Sequence, residues 1–157
     1  MYTIWIIVSK IRRGNIVTVI IKKVFGLLNK GTASWIFLLR LTLAVIFIQT
    51  GWAKLHHLSD VTMFFELLGI PFPYYNAIFI STLEFVGGIA LILGLGTRLF
   101  AALLASTMVV AIITAELAEV HRIWDIFGLQ EWSYLVMFGI LVFYGAGKLS
   151  LDEILNR

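Results

Sequence analysis

The chain has 157 residues, of which 61% are hydrophobic and 13% charged, with a formal charge of +3 and no cysteine. A mean hydropathy of +0.98, with roughly half the ~25% charged residues of a typical globular domain, excludes an ordinary soluble fold. A bilayer removes the need to hide so much apolar surface, and the missing cysteines exclude a disulfide framework, thiolate metal ligands and a thiol relay.

In chain order, Met1–Val8 is apolar but precedes the first basic residues, and no small-residue cleavage site follows. A secretory signal has the opposite order, so the segment is expected to be retained. Lys10, Arg12, Arg13, Lys22, Lys23 and Lys30 precede Ser34 with no acidic residue among them. Ile16, Val17, Ile20, Ile21, Val24, Leu27 and Leu28 recur at helical spacing, with Thr18, Lys22 and Asn29 opposite. This predicts an amphipathic helix on the membrane surface, its lysines near anionic headgroups. The expected organisation is a basic amphipathic segment over 1–34 and a membrane domain over 35–157.

Four apolar runs then follow, each near the ~20 residues that cross a hydrocarbon core as a helix. They are Trp35–Leu55, Tyr74–Leu95, Leu99–Leu117 and Trp132–Lys148. Between the first two, Met63–Leu68 suits a short interfacial helix, and Pro71 and Pro73 forbid a continuous helix. Gly94-Leu95-Gly96-Thr97 reads as a tight turn, and Phe127–Glu131 leads into the last run. Trp35, Trp52, Tyr74, Tyr75, Trp124, Trp132 and Tyr134 fall near the proposed ends, as an aromatic belt does. The predicted fold is all-α: an integral membrane four-helix bundle with an N-terminal amphipathic helix.

Basic residues orient it. With both termini cytoplasmic, the inner side holds the six N-terminal cations with Arg98, Lys148 and Arg157, and the outer side only Lys54 and Arg122. Asp60, Glu66, Glu119, Asp125 and Glu131 lie outside. Contact faces in lipid are set by small and polar residues. The predicted inward stripes are Arg40, Ala44, Phe47, Gly51 and Lys54; then Glu84, Gly87, Gly88 and Leu91. The third run offers Arg98, Ala102, Ala105, Val109, Ile112 and Glu116, and the fourth Tyr134, Phe138, Leu141, Gly145 and Lys148.

Glu84 carries most information, because an ionised carboxylate near the bilayer midplane is costly unless paired, protonated or hydrated. Arg40 is its expected partner, forming a buried polar pair. That pair reads either as an ion pair fixing helix register or as a proton-linked or ligand-binding site. A second, outer cluster comprises Lys54, His56, His57, Glu116, Glu119, His121 and Asp125. Such side chains bind metals elsewhere, but adjacent His56 and His57 point about 100° apart on a helix. A hydrated polar rim is the expected reading, and no metal is assigned. There is no Walker loop, dinucleotide fingerprint or Ser-His-Asp arrangement. Apolar and aromatic faces beside Glu84 suit an isoprenoid quinone and are equally what lipid demands.

Arg40 followed by Gly51 and Lys54 resembles the first-helix pattern of the DoxX family of small bacterial membrane proteins. Leu68-Gly69-Ile70-Pro71-Phe72-Pro73 is similar to its loop. The run from Glu84 through Gly87-Gly88 to Gly94-Leu95-Gly96-Thr97-Arg98 resembles its second-helix signature, and Gly145-Ala146-Gly147-Lys148-Leu149-Ser150-Leu151-Asp152 its C-terminal end. Thr114-Ala115-Glu116 departs from the family pattern, which often has a histidine there. The resemblance covers about Trp35–Leu155 and implies four membrane helices in a bacterial inner membrane. It also implies links to quinone-coupled thiosulfate oxidation, redox-stress complexes or the assembly of other proteins.

The function expected from this is a redox-associated membrane subunit touching quinone. Its expected partners are the bilayer and another membrane or periplasmic redox protein, and no nucleic acid. The rival is a non-enzymatic scaffold or assembly factor. A small-solute permease fits less well, since neither an internal repeat nor a pair of broken helices is legible. Catalysis and oligomeric state stay open on sequence alone.

Overall fold

The computed structural model describes residues 15–116, 120–147 and 150–155, with side chains from residue 33 onward up to 154 within those ranges. Its elements are α1 (Asn15–His56), α2 (Leu58–Leu67), α3 (Pro73–Leu93) and α4 (Thr97–Ala111), which continues into a π-helical turn (Ile112–Glu116). A 3-10 turn (Ile123–Gly128), α5 (Gln130–Tyr144) and a short α6 (Leu151–Leu155) follow. No strand occurs among the described residues.

The chain divides into two compact units, Met1–Trp35 and Ile36–Arg157. In the first, the described part is helical backbone from Asn15. The expected amphipathic face over Ile16–Leu28 and its basic side chains lie outside the described residues.

In the second unit, local sequence explains where helices start and stop. Pro73 occupies the first turn of α3, where a missing N–H costs nothing. The Asn76 side-chain amide donates to the Pro71 carbonyl at 2.6 Å, fixing the entry. At the other end Gly94 takes the left-handed conformation at φ 67°. Leu95 N–H donates to Ala90 O at 2.9 Å and Gly94 N–H to Leu91 O at 3.2 Å, which closes a Schellman motif. The short helix between the first two long ones spans Leu58–Leu67, a turn and a half longer at its start than the sequence indicated. It packs on α3.

Three helices are long and apolar enough to cross a membrane: Ala33–His56, Pro73–Leu93 and Thr97–Glu116. The fourth expected crossing, Trp132–Lys148, appears as α5, whose 15 residues rise only about 22 Å. Gly145, at φ 76°, ends it; Lys148 lies outside the described residues.

One core unites α1, α3, α4 and α5, through Leu43, Ala44 and Phe47, Leu91, Ala101 and Leu104, and Phe138 and Leu141. Phe47 meets the Phe138 ring edge-on with centroids 4.9 Å apart. Helices α1 and α3 approach at small residues, as they must where lipid supplies no hydrophobic drive. A side chain on Gly51 would strike the Phe85 backbone, and one on Gly88 would come within 3.0 Å of Ala44 O. The stripes expected on α1 and α3 are the ones that pack inward. On α4 the inward face is instead Thr97, Ala101, Leu104 and Met108. The expected stripe there began from Arg98, but Arg98 is exposed and reaches the Phe143 carbonyl at 3.4 Å. A long basic side chain at a helix end turns outward rather than inward.

Candidate functional site

Among the described residues, two charged side chains are buried within the long helices, Arg40 and Glu84, and they lie toward opposite ends of the core. Arg40 is 2% exposed. Its Nη1 donates to Ala146 O at 2.7 Å, and its guanidinium lies 5.5 Å from the Phe37 ring centroid. Gly94 makes room for it, since any side chain there would meet Arg40 Nη1 and Ser150.

The segment after α5 closes this end. Ser150 Oγ donates to Gly147 O at 2.7 Å, and Asp152 N–H donates to Gly94 O at 3.0 Å. The Asp152 carboxylate accepts from Gly96 N–H at 2.7 Å and Thr97 N–H at 3.0 Å. It therefore caps α4 from 55 residues away, a role that the N-cap glycine, Gly96, cannot fill with a side chain. The negative charge also suits the positive end of the helix dipole. Sequence reading missed Asp152, because a cap supplied across the fold leaves no local signature.

Glu84 stands near the middle of α3. Its Oε1 accepts from Lys54 Nζ at 2.6 Å, with side-chain exposures of 3% for Glu84 and 36% for Lys54. The Arg40–Glu84 pair expected from sequence is thus not the one that forms. The antiparallel register explains why. Gly51 packs on Phe85, and Ala44 and Ile48 on Gly88, which brings Lys54 to Glu84. Arg40 lies fourteen residues earlier on α1, about 21 Å along the axis. Both cations were on the predicted inward stripe, and only the register chooses between them.

The second carboxylate oxygen is the unusual atom. Among the described residues, Glu84 Oε2 is buried with no hydrogen-bond partner, as is Ser81 Oγ one turn earlier on the same face. A buried polar atom left without a partner is costly and calls for an explanation. Glu84 is also part of the lining of a cavity of about 450 Å³. Its lining is mainly apolar and includes Phe64 and Phe65 of α2, Ile80 of α3 and Met108 of α4. Lys54 and Glu84 are polar members, joined by Asp60, Glu116 and Glu131. The π-helical turn contributes Thr114, Ala115 and Glu116; such turns widen a helix and recur at functional sites.

The outer cluster divides. Lys54 and Glu116 come to the cavity, whereas His56, His57 and His121 do not line it. The two adjacent histidines are exposed, and each bonds through Nδ1 to a carbonyl of its own helix, Trp52 O at 2.9 Å and Ala53 O at 3.0 Å. His121 donates its backbone N–H to Asp125 at 3.2 Å. Glu119 lies outside the described residues. No three histidine or acidic side chains converge on a metal-binding geometry among the described residues.

Comparison with known proteins adds to this geometry. The DoxX family model matches residues 35–117. The chain is 31% identical to "Putative oxidoreductase CatD" of Bacillus subtilis (strain 168) over 127 residues, 80% of this chain and 90% of that protein. It is 27% identical to "Inner membrane protein YqjF" of Escherichia coli (strain K12) over 121 residues, 75% of this chain and 89% of that one. No solved structure matches it. With the matched stretch holding Arg40, Lys54, Glu84 and Glu116 alike, this membrane chain belongs to the DoxX family.

Proposed function

We propose that the chain is a redox-associated subunit of a bacterial inner membrane, and that it holds an isoprenoid quinone in the cleft beside Lys54 and Glu84. One observation carries the reading: a half-exposed ammonium paired with a buried carboxylate stands at the side of an otherwise largely apolar cavity of about 450 Å³. That volume is in the ordinary range for small-molecule sites. Phe64, Phe65 and Met108 offer ring and chain contacts, Lys54 offers hydrogen-bond donors, and Glu84 offers an acceptor. When bound, a quinone supplies two-electron, two-proton exchange. The chain, lacking cysteine, would serve it by binding, orienting and excluding water.

The names of the relatives point the same way, one as an oxidoreductase and one as an inner membrane protein. The excess of basic residues before Ser34 supports a cytoplasmic N-terminus, with residues 1–34 as a surface segment and 35–157 as the membrane domain. The rival reading, a scaffold for another protein, draws on Ile123, Trp124 and Phe127, which stand exposed on the 3-10 turn.

Extraction and mass spectrometry of protein taken from native membranes into nanodiscs test the proposal. A quinone near one per chain, lost in Lys54→Met, is the expected result. A quinone-free sample with a stoichiometric co-purifying protein would favour the scaffold.

A further inference from the structure

We infer that the cleft selects its ligand by a hydroxyl that the ligand donates: it takes a hydroxyaryl amphiphile, and from a quinone carrier the reduced, quinol form. This rests on reading the cleft as a carrier site, and it adds which chemical form is held.

The argument starts at Glu84 Oε2. An ionised carboxylate only accepts hydrogen bonds. Lys54 supplies Oε1 at 2.6 Å, while Oε2 has no donor and the side chain is nearly sealed from water. The protein does not fill the gap with the nearest hydroxyl on the same helix face, since Ser81 Oγ is itself unpartnered. The remaining polar members of the lining, Asp60, Glu116 and Glu131, are carboxylic side chains, and Thr107 and Thr114 hydroxyls already donate to Leu104 O and Val110 O. The site is therefore rich in acceptors and short of donors.

A ligand carbonyl brings one more acceptor. It takes a hydrogen from Lys54 and sets its oxygen lone pairs toward the carboxylate, leaving Oε2 as it was. An aryl hydroxyl does both tasks at one oxygen, accepting from Lys54 and donating to the Glu84 carboxylate once a small turn of that group opens Oε2 to the cleft. Hydrogen bonds to a charged acceptor are the strong ones, so the preference is large. Phe64, Phe65, Ile80 and Met108 then face the ring and tail.

The test uses the full chain in nanodiscs and two probes that differ only in the donor, 4-decylphenol and 4-decylanisole, with decylubiquinone and its quinol as a second pair. Binding is read by equilibrium dialysis. The phenol and the quinol are expected to bind about tenfold or more tighter than the ether and the quinone. In Glu84→Gln, where the amide supplies a donor of its own, the ratio is expected to fall to about twofold or less. Equal affinities within each wild-type pair overturn the inference and leave the carrier reading standing, as does a preference for ether and quinone. Failure of all four probes to bind removes both. Should the variant not fold, the wild-type ratios decide alone.

Discussion

The two charges buried among the described residues are satisfied to different degrees. At one end Arg40 is bonded to Ala146 O and enclosed by Gly94 and Ser150, next to a segment that Asp152 ties to the start of α4. At the other, Lys54 and Glu84 hold each other at 2.6 Å, yet a carboxylate oxygen is left over and a cavity opens beside the pair. Both ends cost desolvation. At the first the guanidinium recovers that cost within the chain, which is the mark of a structural joint, although Thr97 Oγ1 at that end is also buried without a partner. The second recovers it in part, and the remainder is available to a ligand.

This contrast can be broken experimentally. The largest effect is expected for Lys54→Met, which leaves the buried Glu84 carboxyl without its cation and lowers stability in detergent by about 3–5 kcal/mol. Thermal melts that match wild type would show the pair to be dispensable. Arg40→Met is next, at about 3 kcal/mol, because Ala146 O loses its donor and the space around Gly94 is refilled imperfectly. Unlike Lys54→Met, its effect should fall on folding yield and not on ligand affinity in whatever fraction survives. Equal losses of affinity in the two variants would erase the distinction between joint and site.

Asp152→Ala removes a cap that serves two N–H groups of α4 and is expected to cost about 1 kcal/mol. Hydrogen exchange at Gly96 and Thr97 would quicken first. The smallest change is expected for Glu84→Gln, below about 1 kcal/mol, because the amide oxygen still accepts from Lys54 and a buried charge is relieved. A loss greater than that of Lys54→Met would reverse the assignment of which partner is the liability.

Much of this architecture was legible in the chain. The Gly69–Pro73 break, the Gly94–Thr97 turn and the inward stripes of the first two long runs follow from residue type alone. Proline cannot continue a helix, glycine accepts a left-handed end, and small residues permit close contact in lipid. The burial of Glu84 was legible too, since only one carboxylate lies deep in an apolar run. What misled was treating every charged residue on a periodic stripe as inward. Arg98 lies at a helix end and turns out, while Asp152, noted only within the family-like C-terminal motif, turns in and caps α4. The length of α5 was overestimated because Gly145 stops it where apolar sequence continues.

Apolar runs and their breaks determine which segments cross a membrane, because that is a matter between each segment and its solvent. Which cation meets Glu84 is a matter between helices. Arg40 and Lys54 present the same stripe of α1, and a shift along the contact with α3 would exchange them. Gly51 against Phe85 and Gly88 against Ala44 decide that shift by steric exclusion. The same register leaves one oxygen of Glu84 without a donor, a fact that no periodicity contains.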